Sequence, residues 1–264
     1  MLREWGLRNV TTITVDNASS NDVCLAYLKR RLKTMNGLVM DRQYLHVRCC
    51  AHVLNLVVEE GMKDHHLSIT SVRNAVRFVR SSSGTTAKFK ECVSFAGITC
   101  KKLLCLDIST RWNSTYLMLD AAEKYEPAFE KLIDEDSSYK DCFGNVGPPT
   151  VEDWENVRAF VRFLKFFYDA TKLFSASQQS AYTAFHQMST ILCELNASSL
   201  NLNTVLADMA KDMQKKYDKY WGNVATINQL LYFGVILDPR YKMRYMKWSL
   251  EGMYAGNSDF ATKL

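Results

Sequence analysis

The hydrophobic pattern of this chain changes its period near residue 50, and this change restricts the folds that it can adopt. Before that point a run of β-branched residues at 10–15 and a second short strand pattern at 44–49 flank a helical pattern that ends near Lys33. A strand, a helix and a second strand in this order predict one parallel βαβ unit, because parallel neighbours need a crossover connection. After residue 50 apolar residues recur every three or four positions, the period of a buried helix face. The chain is therefore predicted to be mostly α with a small α/β part.

Several element boundaries are also marked in the sequence. Ser20 or Asn21 is the predicted N-cap of the first helix, and Thr150 is the predicted N-cap of a long apolar helix. Leu103–Leu106 has the composition of one further short strand. The 3.6-residue period predicts other helices at 51–61, 69–79, 116–124, 182–194 and 204–221.

Glycine and proline are concentrated in one stretch of the chain. Gly144, Gly147, Pro148 and Pro149 follow an acidic run, and together they predict a loop or subdomain boundary over residues 134–150. No other stretch of the sequence has as many glycines and prolines so close together.

The net charge of +5 hides an uneven distribution. Residues 61–120 carry 9 basic and 4 acidic side chains. Arg73, Arg77 and Arg80 repeat at helical spacing within this block, which predicts an arginine edge on an amphipathic helix. Such an edge suits a polyanion such as DNA, whereas a small local excess of charge is more commonly a solvated surface.

Two classes of protein are not favoured by the composition. No apolar run approaches the roughly 18 residues of a membrane span, and the first ten residues carry charges where a signal peptide would be apolar. The eight cysteines have no regular spacing, so we expect reduced thiols rather than disulfides. The chain is expected to be intracellular, with no membrane partner.

Asp16 is the first candidate for chemistry. It ends the first predicted strand, and the carboxyl ends of parallel strands are where an open α/β sheet presents ligand groups. The residues after it are of turn and capping types, which favours a role as a turn or cap residue. One carboxylate cannot hold the two Mg²⁺ ions of a phosphoryl-transfer site.

Cys49 and His52 are spaced by three residues at the start of the second helix. Together with His65 or His66 and Cys100 or Cys105 they would supply four zinc ligands, but no second close Cys/His pair is present. The alternative is a packed cysteine and a hydrogen-bonded histidine at a helix start.

Arg111 and Trp112 form the third candidate, in a polar stretch before a predicted helix. An indole can stack on an unstacked base while a guanidinium contacts its phosphate. The alternative is an ordinary helix N-terminus with Trp112 in the core.

Four motifs together resemble one family. They are TVDNASSND at 14–22, RCCAHVLNLVVEEGM at 48–62, STRWNSTYLML at 109–119 and LDPRYK at 237–242. In this order they resemble plant transposases of the hAT superfamily, and most of all its domesticated members with a zinc-finger BED domain, the "sleeper" proteins. The resemblance covers nearly the whole chain.

The resemblance implies a ribonuclease H-like core that is interrupted by a helical domain. We therefore predict the C-terminal part of that core at residues 1–60 and an all-α insertion domain at 61–264. The family's active site is an Asp–Asp–Glu triad that binds Mg²⁺, and Asp16 matches its second Asp. The first Asp would lie before Met1 and the Glu beyond Leu264, so we expect this chain to be catalytically inactive and to need no cofactor.

The resemblance also implies roles for the ambiguous motifs. Cys49 and His52 match a Cys-x-x-His motif near the transposon end, and Arg111 and Trp112 match a pair associated with a flipped base. The implied function is a transposon-derived, DNA-binding protein of the nucleus. Homodimerisation would use a downstream region outside this sequence.

Two other functions remain open at this point. One is a helical protein-interaction module with no role on DNA, which scattered rather than aligned basic side chains would favour. The other is a fragment of an active DNA transposase.

Overall fold

The computed structural model describes residues 4, 6, 9–39, 44–63, 66–144, 147–176, 180–224 and 227–254, with the side chain of residue 66 outside this set. It divides the chain into two compact units. Unit 1 comprises residues 1–57, 170–197 and 213–264, and unit 2 comprises residues 58–169 and 198–212. The domain limits predicted at residue 60 and at 134–150 stay predictions, and the segment 61–264 contributes residues to both units.

The predicted βαβ unit is present and begins the fold. Strand β1 (Ile13–Val15), helix α1 (Ser19–Thr34) and strand β2 (His46–Arg48) follow each other, and helix α2 (Cys50–Met62) continues the chain. The two strands pair in parallel with Thr14 opposite Val47. This confirms the parallel pairing and a mostly helical fold with a small α/β part.

The remaining elements in the described residues are helical. They are α3 (His66–Val79), α4 (Ser83–Phe95), α5 (Trp112–Ala122), a 3-10 turn (Glu123–Tyr125), α6 (Glu126–Glu135), α7 (Ser137–Asp141), α8 (Val151–Phe174), α9 (Ala181–Ser198), α10 (Thr204–Trp221), α11 (Leu230–Ile236) and α12 (Lys242–Met253). None of the described helices is both long enough and apolar enough to cross a membrane.

Within unit 1, a side chain takes the place of a further strand beside β2. The Asn228 amide donates hydrogen bonds of 2.9 Å to the carbonyl oxygens of Tyr44 and of His46. These groups belong to the exposed edge of β2, which would otherwise lack partners. Below them Phe185 and Tyr232 meet edge to face at 5.8 Å, and the fully buried Tyr217 donates its hydroxyl to the Met188 carbonyl.

Unit 2 is built around aromatic side chains from three helices. Phe129 of α6 lies 4.7 Å from Phe89 of α4 and 5.7 Å from Trp154 of α8, measured between ring centroids. All three are buried. Aromatic pairs of this kind dominate core energetics because each ring buries a large apolar area.

The structure confirms one predicted helix cap and corrects another. Thr150 accepts a hydrogen bond from the amide of Asp153, whose carboxylate accepts from the amide of Thr150 in return, so α8 begins as predicted. The first helix begins at Ser19 and has no side-chain cap from Ser20 or Asn21. The side chain of Asp16 binds the turn before the helix instead. Its carboxylate accepts hydrogen bonds from the backbone amide of Ala18 and from the side-chain amide of Asn21.

Two other predictions fail for identifiable reasons. Leu103–Leu106 forms no strand, because unit 2 contains no strand among its described residues with which it could pair. Helix α5 begins at Trp112 rather than at Tyr116. The Ser114 hydroxyl, which accepts from the amide of Ile108, ties the first turn of this helix to the preceding segment.

The fold makes a direct prediction about a close helix contact. A Cβ atom at Gly234 of α11 would lie 2.3 Å from the Cβ of Ala181 in α9, so Gly234→Ala forces the two helices apart. We expect it to lower the free energy of unfolding by about 1–3 kcal/mol in urea denaturation. The matched control is Gly252→Ala in α12, where a Cβ meets nothing within 4 Å. It should be neutral or gain up to about 1 kcal/mol from helix propensity. Equal effects of the two substitutions would contradict the packing described here.

Candidate nucleic-acid interface

The carboxyl edge of the two-stranded sheet brings two predicted residues to neighbouring strand ends. Asp16 follows β1, and Cys49 follows β2, with the Cys49 amide donating to the Val15 carbonyl at 2.9 Å. Asp16 is exposed, and one of its carboxylate oxygens already accepts the amide of Ala18 at 2.9 Å. The sheet therefore places Asp16 as the sequence suggested, and the local turn uses part of its hydrogen-bonding capacity.

Cys49 and His52 both lie at the start of α2 and are partly buried. Between them, burial raises the pKa of the Cys50 thiol to about 12. No group of three His, Cys, Asp or Glu side chains that could hold a metal ion occurs in the described residues. His65, one of the predicted zinc ligands, lies outside them, as does the side chain of His66.

The two arginines of α3, Arg73 and Arg77, and Arg80, which directly follows this helix, have different environments, although they share one stripe in sequence. Arg73 forms a two-pronged ion pair with Asp107, at 2.8 Å and 2.7 Å. The Thr115 hydroxyl donates to the same carboxylate at 2.8 Å. Only 2% of the Asp107 side chain is exposed, compared with 20% of Arg73. Arg73 therefore anchors the segment before α5 to α3.

The electrostatics of Asp107 agree with this anchoring role. Burial by itself raises the pKa of the Asp107 carboxyl, but the hydrogen bonds from Arg73 and Thr115 outweigh it, and the pKa is lowered below its ordinary value. The carboxylate form is thus the one that the fold stabilises.

Arg80 and Arg77 are exposed, but only Arg80 fastens another part of the chain. One Arg80 guanidinium nitrogen donates to the carbonyl oxygen of Leu104 at 2.5 Å. Arg77 donates to Asn74 on its own helix at 3.0 Å. Of the three arginines, Arg77 is the one whose guanidinium is exposed and is not used to hold a distant segment.

Arg111 and Trp112 form the N-terminus of α5. Arg111 is exposed and supplies no side-chain cap to the helix. Trp112 is only 3% exposed, and its buried indole N–H donates no hydrogen bond within the described part of the chain. It lines a cleft of about 370 Å³ with hydroxyl and cationic neighbours, which include Ser109, Thr110, Thr115, Lys63 and Arg73.

This cleft offers mostly hydrogen-bond donors. The hydroxyls of Ser109 and Thr110 suit a ligand that is rich in acceptors, such as a phosphate or a base edge. Arg73 and Thr115 already bind Asp107, and Lys63 pairs with Glu60. The single carboxylate in the lining is Glu59. Sequence reasoning identified Trp112 and Arg73 but missed Asp107, whose only signal was a lone acid between the apolar Leu106 and Ile108.

Two family models match different parts of the chain. Residues 47–163 match the model described as "ZBED1 RNase-like helical domain". Residues 182–263 match the model described as "hAT-like transposase, RNase-H fold". The second match falls in a stretch that the sequence-based domain prediction assigned to the helical insertion.

The chain is also similar to several named proteins. It is 35% identical to "Zinc finger BED domain-containing protein RICESLEEPER 2" of Oryza sativa subsp. japonica, over 96% of this chain and 34% of that protein. It is 33% identical to "Putative AC transposase" of Zea mays, over 90% of this chain and 29% of that protein. It is 29% identical to "Zinc finger BED domain-containing protein DAYSLEEPER" of Arabidopsis thaliana, over 95% and 35%. The chain thus spans about a third of the length of the curated relatives it matches.

The ion pair at Asp107 generates a prediction about stability. Arg73→Ala leaves a buried carboxylate without its cationic partner, so we expect a loss of about 3–5 kcal/mol in the free energy of unfolding. Arg77→Ala, on the exposed part of the same helix, is the control and should change it by less than about 0.5 kcal/mol.

The same pair predicts a pH dependence. Because the folded-state pKa of Asp107 is lowered, its stabilising contribution is fully present above the unfolded value of about 3.9. It is lost as the pH falls through the lowered folded-state pKa. Asp107→Asn should therefore flatten the acid limb of stability against pH, and an unchanged acid limb would contradict the ion pair.

Proposed function

This chain belongs to the hAT transposase-like family, and from that membership we propose that it is a transposase-derived protein that binds DNA. The two family models and the similarity to BED zinc-finger proteins and an AC transposase support the proposal. The relatives extend well beyond the matched region, so the proposal concerns this chain and not their whole-protein activities.

The observation that carries the proposal is the cleft beside Trp112. A buried indole N–H without an acceptor lowers the stability of the fold, because it has lost its hydrogen bonds with water and has gained none in the protein. An acceptor-rich ligand that entered the cleft and reached this N–H would supply the missing bond. An extrahelical base of DNA has ring and carbonyl acceptors on its edge, and its phosphate would be within the reach of a cation such as Arg111.

The exposed cations of unit 2 would supply the sequence-independent part of binding. Arg77 and Arg111 are exposed, and neither forms an ion pair with a carboxylate among the residues that the structure describes. By contrast, Lys88 pairs with Asp136, and Lys102 pairs with Asp120. We propose Arg77 and Arg111 as phosphate contacts and assign Arg73 a structural role.

At the sheet edge, we propose that Cys49 and His52 contribute contacts to DNA, in keeping with the motif they match. Their partial burial at the start of α2 leaves part of each side chain accessible. Cleavage chemistry is a separate question. Asp16 is one carboxylate at a strand end, and the described residues place no second and third ligand beside it.

The described residues therefore do not fit the Mg²⁺ site of the family triad. We propose that this chain alone neither cuts nor joins DNA, and that it acts in the nucleus as a binding protein. Homodimer formation is likewise a proposal from family membership. The competing function, a helical interaction module without a DNA role, would be favoured if the salt-dependent binding described next were absent.

The DNA-binding proposal predicts a change in salt dependence. Arg77→Ala combined with Arg111→Ala should weaken binding to duplexes of any sequence and reduce the slope of log affinity against log salt by about 1.8, since each phosphate contact contributes about 0.9. Fluorescence anisotropy between about 50 and 200 mM salt measures this slope.

The matched control removes two cations of the same unit that already have carboxylate partners. Lys165→Ala with Lys211→Ala makes the same change in net charge. These lysines pair with Asp169 and Asp208 on their own helices, so we do not propose them as phosphate contacts. The control should keep the parental slope. Loss of slope in both double variants would mean that net charge and not these contacts governs binding.

The catalytic proposal is tested with supercoiled plasmid and a radiolabelled duplex. Incubation of the full chain with Mg²⁺ or Mn²⁺ should neither nick the plasmid nor join strands, because one positioned carboxylate cannot stabilise both the attacking and the leaving oxygen. Metal-dependent cleavage by the parent that disappears in Asp16→Ala would overturn the proposal.

A further inference from the structure

The C-terminal part of unit 1 contains a row of aromatic side chains around the LDPRYK motif. Tyr182 of α9 stacks on Tyr241, with ring centroids 3.5 Å apart and ring planes 9° from parallel. The ring of Tyr245 in α12 lies 5.2 Å from that of Tyr241. Trp248 follows, 6.0 Å from Tyr245. The row therefore runs from α9 along the first two turns of α12.

The row is fastened at one end and open at the other. The His186 Nδ1 atom lies 2.7 Å from the Tyr245 hydroxyl, so a hydrogen bond joins α9 to α12. The three tyrosines are partly buried, whereas Trp248 is 69% exposed. An indole that is exposed to this extent adds little to the stability of the fold, because most of its apolar area stays in water. The fold thus presents an open indole face beside a row of rings that two helices hold.

Four cations accompany the open end of this row. Residues 239–248 contain no acidic residue, and their cations are Arg240, Lys242, Arg244 and Lys247. All four side chains are exposed. Lys242, Arg244 and Lys247 form no ion pair with a carboxylate in the part of the chain that the structure describes. Their positive charge is therefore available to an anionic ligand.

Arg240 is the cation of this group that the fold holds in place. Its guanidinium donates two hydrogen bonds to the Asp238 carboxylate, at 3.0 Å and 2.7 Å. It also lies 5.2 Å from the centroid of the Tyr241 ring, which is a cation–π contact. The Arg240 side chain nevertheless stays 67% exposed. A guanidinium has five N–H donors, so several of them remain for a phosphate.

The helical period places a cation directly beside the open indole. Arg244 and Trp248 are four residues apart, and residues at this spacing are neighbours on the surface of a helix. Lys247 precedes Trp248 in sequence, and Arg240 lies one turn before Arg244. A flat ring stacked on Trp248 would therefore have cations within reach of any phosphates attached to it.

We propose that this surface, formed by Arg240, Arg244, Lys247 and Trp248 and called here the Trp248 surface, binds single-stranded DNA. One base stacks on the Trp248 indole, and the neighbouring phosphates contact Arg244 and Lys247. Arg240 contacts a phosphate further along the strand. The surface consists of residues of unit 1, whereas the Trp112 cleft belongs to unit 2. The choice of DNA over RNA rests on the proposed function, but the site itself does not.

Two other occupants match the surface less well. Duplex DNA offers phosphates to the cations, but its bases are stacked on each other and leave the Trp248 face uncovered. A membrane-bound helix needs one apolar face. The exposed large apolar side chains of α12 are Met243 and Trp248, which are five residues and thus about 140° apart around the helix. A single strand uses both the indole face and the cations.

The first test uses the full 264-residue chain and a fluorescein-labelled (dT)15 strand. Anisotropy should show saturable binding. Trp248→Ala should weaken it roughly tenfold because one stacked base is lost, whereas Trp248→Phe keeps a ring and should bind within about threefold of the parent. The matched control, Tyr27→Ala, removes another exposed aromatic ring of unit 1 and should leave the affinity unchanged.

A second pair of variants tests the phosphate contacts. Arg244→Ala combined with Lys247→Ala should reduce the slope of log affinity for (dT)15 against log salt by about 1.4, since each contact to a single strand contributes about 0.7. Arg31→Ala with Lys33→Ala removes two exposed cations from α1 and makes the same change in net charge. This control should keep the parental slope.

Photo-cross-linking distinguishes this site from the Trp112 cleft. A (dT)15 strand that carries one 5-iodouracil should cross-link to Trp248 in the tryptic peptide 248–263. The cross-link should persist when Arg77 and Arg111 are both changed to alanine. Cross-linking only to the peptide 112–124 would assign single strands to the cleft, which would overturn this proposal and leave the proposed function intact.

Three further results would overturn the proposal. They are the absence of (dT)15 binding up to about 1 mM, an affinity for (dT)15 that Trp248→Ala does not change, or a Trp248-dependent ligand of another kind that binds in place of (dT)15. The probes for the last result are (rU)15, polyglutamate and phosphatidylserine vesicles, which would assign the surface to RNA, an acidic protein or a membrane. Urea denaturation of each variant confirms that lost binding does not arise from unfolding.

Discussion

A single buried carboxylate, that of Asp107, connects three parts of unit 2. It receives two hydrogen bonds from Arg73 in α3 and one from Thr115 in α5, and it lies in the segment that joins α4 to α5. Burying charge is unfavourable unless the partners are well placed, and here the geometry is two-pronged and further hydrogen-bonded. Because Trp112 and Arg111 follow Asp107 within five residues, this ion pair also determines where the candidate DNA-contacting residues lie.

The same segment serves two surfaces with different chemistry. Towards Trp112 it contributes the hydroxyls of Ser109 and Thr110 to a cleft rich in donors. Towards α4 it contributes Leu103 and Leu104 to a groove with a cationic rim. An irregular segment can line two surfaces because its backbone forms neither a helix nor a sheet. Side chains from α3 and the 3-10 turn hold it in place. Loss of Arg73 would therefore disturb the segment that both surfaces share.

Much of the α/β part was predictable from sequence, because β-branched runs and capping residues act locally. The parallel pairing of β1 with β2 and the position of Asp16 after a strand follow from such short patterns, and so does the cap at Thr150 in unit 2. The arginine stripe of α3 shows the limit of such reasoning. Periodicity predicts which residues share a helix face, but it does not predict that Arg73 meets a carboxylate 34 residues away.

The sequence of Leu103–Leu106 shows a second limit. Its composition is typical of a strand, but a strand also needs a partner, and no local pattern predicts whether one is present. Trp112 shows a third limit. Its burial fits an ordinary helix N-terminus with a core tryptophan, whereas its unsatisfied indole N–H fits a residue that contacts a ligand. The residues around the side chain determine which of these properties Trp112 has, and the local sequence does not reveal them.

On this basis we propose that an extrahelical base of DNA enters the cleft beside Trp112. Photo-cross-linking tests it most directly, with a duplex that carries one unpaired 5-iodouracil and a control duplex in which that base is paired. We expect a cross-link from the unpaired base to the tryptic peptide 112–124, and none from the paired base. Bound DNA whose unpaired base cross-links only to other peptides, or that cross-links equally when paired, would contradict it.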